Sequence, residues 1–316
     1  MKSPTIFITG ASGFVGANIA RACIKKGYQV HILLRDKKHI WRLEQILPKL
    51  TVHQGSLLDQ SSLKRIFRKI QPEFIFHLAA NGAYSTQNDL EKIIATNIEG
   101  TKNLLLASAD IPYSCFVNTG TSSEYGFKNK PMKETDSCNP VSYYAFTKLA
   151  ATQMCKIFAV QHNKPIITFR LFSAYGPFEE PARFVPTIVK NLFTKAPIQL
   201  TPGKQRRDFV YITDVVNAYL SIIKRTPKLQ GEIINLGTGR EYTNDEVVHH
   251  LFKVTKEKTP VEKGTFPKRT WDTSHWVASR VKAAKLLDWK PKFTLDKGLA
   301  DMYAWYAKNR HYYEKV

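Results

Sequence analysis

Residues 5–27 constrain the fold of this chain more than any other stretch. Thr5 to Ile8 are apolar and partly β-branched, the composition of a buried strand. They run into GASGFVG, with glycines at Gly10, Gly13 and Gly16, and then into the helical pattern ANIARACIKKG, which ends at Gly27. A strand, a glycine-rich turn and a helix in that order leave bare amides at a helix N-terminus, a geometry that cradles a diphosphate. The spacing is GxxGxxG rather than GxGxxG.

The same alternation continues. QVHILLR reads as a second strand, and LTVHQG as a third, leading into SLLDQSSLKRIFRKI, where Ser61 or Ser62 is the expected helix cap. FIFHLAAN reads as a buried fourth strand, with the small residues Ala79 and Ala80 at its carboxyl end, where open α/β sheets bind ligands. The helix LEKIIATNIEGTKNLLLAS follows, carrying Asn97 in an otherwise apolar stripe, where a satisfied core amide is the plain expectation. SCFVNTG is a fifth strand and PIITFRLFSAYGP a sixth. Strand alternating with helix from residue 5 to about residue 170 predicts an α/β fold built on a doubly wound parallel sheet. Prolines at 177, 181, 186 and 197 then break the rhythm. We therefore expect a dinucleotide-binding domain over 1–172 and a smaller C-terminal α/β lobe, mainly for substrate, over 173–316. A segment near 207–236 is expected to return to the main sheet. Within the lobe, Thr243 or Asn244 is a plausible cap for the helix of NDEVVHHLF.

With 316 residues, the chain is long enough for two domains or one large domain with an appended lobe. It has no apolar run near the ~18 residues that a membrane span requires. Its N-terminus is interrupted by glycines too early for a signal peptide and reads as the first strand. Cys23, Cys115, Cys138 and Cys155 show no metal-ligand spacing and are expected as free thiols in a reducing cytoplasm; no metal is expected. The net charge is +21, but Lys and Arg are spread along the chain without a basic tail or an aromatic platform, which argues against nucleic acid as a partner. A diffusely basic surface is the plain reading, and a local field that attracts a doubly charged phosphate ligand is the functional alternative.

The end of the second strand bears on the cofactor. An acidic residue there grips a ribose 2′-hydroxyl, whereas arginine suits a 2′-phosphate. Leu34 stands where the acid is expected, Arg35 follows, and Lys37 and Lys38 are near, which favours NADP(H) over NAD(H). Asp36, one register further, is the acidic alternative.

Chemistry concentrates between Val117 and Lys148. VNTGTSSEYG supplies a hydroxyl at Thr121, and NPVSYYAFTKLA supplies a phenol at Tyr144 and an ammonium at Lys148. Of the fourteen tyrosines, only Tyr144 has a lysine four residues later. That spacing puts both on one helix face, where the ammonium can favour the phenolate and let it exchange protons with a sugar hydroxyl or carbonyl near neutral pH.

Taken together, GASGFVG, HLAA, TNIEGTKNLL, the hydroxyl loop ending in YG, YxxxK, RLFSAYGP, RRDFVYITD and the late DWKP occur in an order that resembles an extended short-chain dehydrogenase/reductase of the nucleotide-sugar epimerase, dehydratase and reductase group. The resemblance covers essentially the whole chain and implies a Rossmann-type sheet, a nucleotide diphosphate sugar as substrate and a homodimer formed through a four-helix contact that includes the Tyr144 helix. It also implies residue roles. Gly10, Gly13, Phe14, Gly16, Arg35 and Ala79 would hold the cofactor. Tyr144 would be the general acid/base and Lys148 would bind the nicotinamide ribose. Thr121 would hydrogen-bond the reacting sugar oxygen, with Ser122 and Ser123 beside it. Asn97 would help order the site, and Arg207 and Arg269 would clamp the substrate diphosphate.

Departures from the pattern narrow the activity. Sugar 4,6-dehydratases of this group place acidic residues two and three positions before the tyrosine of the YG; here those positions are Ser123 and Ser122, and only Glu124 is acidic. Dehydration is therefore disfavoured, unless Glu124 shifts register. Ser56 replaces the aspartate usual after the third strand, weakening an adenine contact there. Two reactions remain, a 4-keto-(6-deoxy)sugar reductase that consumes NADPH and a 4-epimerase that retains its cofactor. Arg35 tilts the expectation toward the reductase. A noncatalytic dinucleotide sensor would have no need of the Thr121, Tyr144, Lys148 set.

Overall fold

The computed structural model describes residues 3–36, 40–84, 86–201, 205–225, 229–265 and 274–314. In chain order the first elements are β1 (Thr5–Thr9), α1 (Phe14–Lys25), β2 (Gln29–Leu34), β3 (Thr51–Gln54), α2 (Gln60–Ile70), β4 (Phe74–His77) and α3 (Leu90–Ile94). A π turn (Ala95–Glu99) leads into α4 (Gly100–Ser108), followed by β5 (Cys115–Thr121), α5 (Tyr143–Gln161) and β6 (Ile166–Leu171). Then come β7 (Ser173–Tyr175), α6 (Phe184–Thr194), β8 (Ile198–Leu200), β9 (Arg206–Arg207), β10 (Phe209–Tyr211), α7 (Ile212–Arg225), β11 (Ile233–Leu236), β12 (Tyr242–Thr243) and α8 (Asn244–Thr255). The last elements are β13 (Val261–Lys263), α9 (Val281–Leu287), α10 (Leu295–Asn309) and α11 (His311–Glu314).

Seven strands form one parallel sheet in the order β3-β2-β1-β4-β5-β6-β11. The order reverses on either side of β1, which is the doubly wound arrangement. Because the strands share a direction, their carboxyl ends lie along one edge, and the register aligns Thr9 with His77 and His77 with Asn118. The central strands are buried on both faces, whereas β3 at the sheet edge is partly exposed. On one face Phe7, Phe67, Phe116 and Phe158 belong to a single apolar cluster, and Phe7 meets Phe67 edge to face at 4.9 Å. Truncating such a ring to alanine costs about 3–5 kcal/mol.

The chain divides into two compact units. The first comprises 1–126, 137–171 and 216–234, and the second comprises 127–136, 172–215 and 235–316. In the second, β10 pairs in parallel with β7, β12 antiparallel with β9, and β13 in parallel with β8. Its excursion 127–136 is held by Met132, whose backbone bonds Val277 and Ser279, while Asn235 Nδ2 donates to the Met132 carbonyl. At the organising centre of this unit, buried Asp208 accepts from the amides of Thr238, Gly239 and Ala278.

Local details depart from the sequence expectations in two places. The cap of α2 is Asp59, whose carboxylate accepts from the Ser62 amide at 2.9 Å, so neither Ser61 nor Ser62 serves. The helix expected over 90–108 is interrupted by the π turn, a one-residue insertion that periodicity does not reveal. Thr243 does cap α8, accepting from the Glu246 amide. All four cysteines are unpaired, and burial pushes the thiols of Cys23 and Cys155 up to about 12. Among the described residues, no helix is long and apolar enough to cross a membrane, and no three His, Cys, Asp or Glu side chains cluster as a metal site.

Candidate active site

The glycine-rich turn is shaped by close backbone approach. Gly10 has φ +69°, and a Cβ there would lie 2.5 Å from the Ala79 nitrogen. A Cβ on Gly16 would lie 2.2 Å from the Gly10 carbonyl oxygen. Both positions therefore need glycine, and together they bring the β1 turn against the end of β4 and against α1. Gly13 is different. It is the N-cap of α1 with no side-chain cap, and a Cβ there would meet only the Gly10 oxygen. The first turn of α1 is thus open at its positive end, with Phe14 as its first residue, and it fits a diphosphate.

At the end of β2, the Arg35 side chain is 81% exposed and its Nε lies 3.5 Å from the carboxylate of Asp36, which is 42% exposed. Lys37 and Lys38 lie outside the described residues. Beyond them, buried Arg42 stacks on Trp41 at 4.2 Å and reaches the Ser12 carbonyl of the glycine-rich turn at 3.4 Å. Arg42 was invisible in sequence, since nothing local marks it as facing that turn.

The reacting groups come from β5 and α5. Thr121 ends β5 and caps a short 3-10 turn over 122–125 by accepting from the Ser123 amide at 3.2 Å. Ser122 is buried and Ser123 is partly exposed. Tyr144, half-buried, and Lys148, 2% exposed, both lie on α5, which Ser142 caps through the Ala145 amide. Burial pulls the Lys148 ammonium below its usual range, and the nearby Glu124 opposes that shift.

Glu124 is the acid that the dehydratase question turned on. Its side chain is fully buried; Oε1 accepts from the Thr121 amide at 2.8 Å and from Thr152 Oγ1 at 3.1 Å, and Oε2 accepts from Arg170 Nε at 2.7 Å. Burial pushes its carboxyl upward, while Arg170, the Thr121 amide and Lys148 pull it back. Burial pulls its partner Arg170 down, but the Glu124 charge together with Tyr125 and Cys138 more than offsets this and leaves Arg170 above the ordinary arginine range. Tyr125 covers the guanidinium at 4.5 Å. Every carboxylate oxygen of Glu124 is therefore engaged in holding the Thr121 loop.

Asn97 is fully buried in the π turn. Its Oδ1 accepts from the Asn81 amide at 2.8 Å, and its Nδ2 donates to the Asn81 carbonyl at 2.9 Å and to Thr147 Oγ1 at 2.9 Å. Thr147 in turn donates to the Tyr144 carbonyl at 3.0 Å. Next to Asn81, Gly82 has φ +91°, and a Cβ there would come within 3.3 Å of the Tyr144 Cβ. Asn97 thus clamps the 81–82 segment against the stem of Tyr144. Thr147 was missed in sequence because its partner is fifty residues away.

In the second unit, Arg207 lies in β9, opposite Tyr242. Its guanidinium sits 5.1 Å over Trp276, and its Nη1 donates to the Arg206 carbonyl. Arg269 lies outside the described residues.

Residues 6–237 match the model of the NAD dependent epimerase/dehydratase family. The chain is 29% identical over 314 residues to a UDP-glucuronate 4-epimerase of Thermodesulfobacterium geofontis, covering 96% of each. It is 26% identical to a dTDP-glucose 4,6-dehydratase of Neisseria meningitidis serogroup B, covering 98% of this chain and 95% of that one. Among solved structures it resembles the UDP-glucuronic acid 4-epimerase of Bacillus cereus, a tyrosine-to-phenylalanine variant in complex with UDP-4-deoxy-4-fluoro-glucuronic acid and NAD. There the TM-score is 0.87 at 25% identity, covering 96% of this chain and 99% of that one. The glycine-rich turn on a seven-stranded parallel sheet and the match over most of the chain identify this protein as a member of the NAD-dependent epimerase/dehydratase family.

Proposed function

We propose that this chain is a nucleotide-sugar 4-epimerase that works with a retained NAD. The observation that carries this reading is the engagement of Glu124. An elimination of water needs a second acid or base beside the phenol, and the one acid of the Thr121 loop is held by Arg170, Thr152 and the Thr121 amide. An oxidation and re-reduction at one carbon needs a single group that takes a proton and returns it. Tyr144 fills that role: its phenolate takes the proton of the sugar hydroxyl at C4 and gives it back when the ketone is reduced on its other face. Lys148 favours the phenolate by its charge, and Thr121 orients the reacting oxygen. NAD, when bound, supplies the hydride acceptor and donor, and Gly10, Gly13, Phe14, Gly16, Ala79, Tyr144 and Lys148 would hold it.

The end of β2 supports NAD over the NADP(H) that Arg35 first suggested. Arg35 extends into solvent beside Asp36, and a carboxylate near the strand end is the side chain suited to a ribose 2′-hydroxyl. The solved relative in complex with NAD points the same way. The 4-keto sugar reductase is the second reading, favoured by the Arg35, Lys37, Lys38 cluster. Purified protein incubated with a panel of UDP- and dTDP-hexoses separates the two. Isomer formation without net change in the reduced nicotinamide band supports the epimerase; stoichiometric oxidation of added NADPH by a 4-keto sugar overturns it.

We further propose a homodimer through α5, whose Tyr143, Phe146, Ile157 and Val160 side chains are 53–64% exposed. An apolar stripe of that size on one helix suits a second copy of the same helix. Light scattering that gives a monomer mass would sink this assignment.

A further inference from the structure

His77 ends β4 with its side chain fully buried and both ring nitrogens bonded. Nδ1 lies 2.7 Å from Thr9 Oγ1, and Nε2 lies 2.9 Å from Thr101 Oγ1. The neighbours of the two hydroxyls settle which atom donates. Thr9 Oγ1 accepts two amides, Leu78 at 3.2 Å and Ala79 at 3.3 Å, so its own hydrogen is left for His77 Nδ1. Thr101 Oγ1 donates to the Asn97 carbonyl at 2.7 Å, so it accepts from His77 Nε2–H. Both ends, independently, demand the same neutral tautomer. The result is a one-way chain from the Leu78 and Ala79 amides through Thr9, His77 and Thr101 to the backbone of Asn97.

That chain joins two parts of the site. At one end are the Ala79 amide and the β1 turn that Gly10 presses against it. At the other is the π turn that aims the Asn97 amide at Asn81 and Thr147. A π turn carries one residue too many for an α-helix and needs support at its carbonyls; the Thr101 hydroxyl provides it one turn on. We propose that His77 is a positioning residue for the C4 chemistry, setting the Ala79 edge of the cofactor site and the Asn97 clamp beneath Tyr144 in one fixed relation. This rests on the epimerase reading for its effect on turnover, though not for its effect on the backbone. Burial holds the ring neutral, pulled down to about 3, and the Lys148 charge adds to that shift.

The test uses the near-isosteric Thr101→Val, which cuts the chain without emptying the core, together with Thr101→Ser and His77→Gln in the full chain. Amide hydrogen exchange read by mass spectrometry on 78–82 and 95–101 is the first measurement. Thr101→Val is expected to speed exchange in both segments by about tenfold or more, and Thr101→Ser to return both to the wild-type rate. Acceleration confined to 95–101, or none at all, overturns the proposal. Turnover is the second measurement: kcat should fall about tenfold in Thr101→Val with KM for the nucleotide sugar within twofold, and Thr101→Ser should recover it. Equal losses in Thr101→Val and Thr101→Ser would also overturn it. If the wild type epimerises nothing, the epimerase reading fails while the exchange measurement still decides for or against the chain. If His77→Gln does not fold, the two Thr101 variants carry the test.

Discussion

Glu124 Oε2 accepts from Arg170 Nε at 2.7 Å, with the two side chains 0% and 1% exposed. Breaking such a pair from one side leaves an uncompensated buried charge, at about 3–5 kcal/mol, whereas replacing both partners by apolar residues costs far less. We therefore expect Glu124→Leu or Arg170→Met alone to unfold well below the wild type, and the double replacement to recover most of the loss. Urea denaturation of the three variants measures this; strictly additive losses would show that the pair does not act as a unit.

Tyr144→Phe removes the proton-handling oxygen and keeps the ring. Turnover should drop by about 100- to 10,000-fold, the usual contribution of a general acid/base. Bound NAD, released by heat and quantified, should stay near the wild-type content. A variant that turns over at the wild-type rate removes Tyr144 from the chemistry.

Asp36→Ala should weaken NAD by about tenfold or more, the loss of a hydrogen bond to a charged acceptor. Arg35→Ala should change NAD affinity less than twofold, because that side chain is turned to solvent. Calorimetric titration with NAD and NADP side by side checks both. A large, NADP-selective loss in Arg35→Ala would restore the reductase reading.

His77 gives stability a pH dependence whose sign follows from its neutral burial. The unfolded imidazole titrates near 6.5 and the folded one near 3, so between these values the unfolded chain binds the extra proton. Stability from this group is complete above pH 6.5 and declines as the pH falls toward 3, by about 1.4 kcal/mol per unit within that window. Unfolding free energies at pH 7.5, 6 and 5 should therefore fall less steeply in His77→Gln than in the wild type. Parallel profiles would mean that His77 is not kept neutral by the fold.

The parts of this architecture written within a few consecutive residues could be read directly. GASGFVG places Gly10 and Gly16 where the backbone approaches closely and Gly13 at the open start of α1, and Tyr144 with Lys148 is a one-turn relation on a helix. The alternation of apolar strand and amphipathic helix gave the parallel sheet, because the central strands are buried on both faces and their composition follows. What escaped was set by distant partners. Nothing near Arg170 says that it neutralises Glu124, and nothing near Asn97 says that Asn81 and Thr147 saturate its amide. The π turn escaped too, since one inserted residue leaves the apolar pattern of 90–108 intact. Arg35 shows the same limit, because sequence gives its position but not its direction; its side chain is largely exposed beside Asp36.

The last strand of the main sheet, β11, arrives only at residues 233–236, after the chain has left and re-entered the first unit. During synthesis, β6 must therefore wait as an unprotected edge while some sixty residues between Leu171 and Ile233 are made. A fragment ending near 172 would hold six of the seven strands and keep that edge open for good, free to pair with another copy. Expressed alone, such a fragment should aggregate, and adding residues up to 236 should cure it.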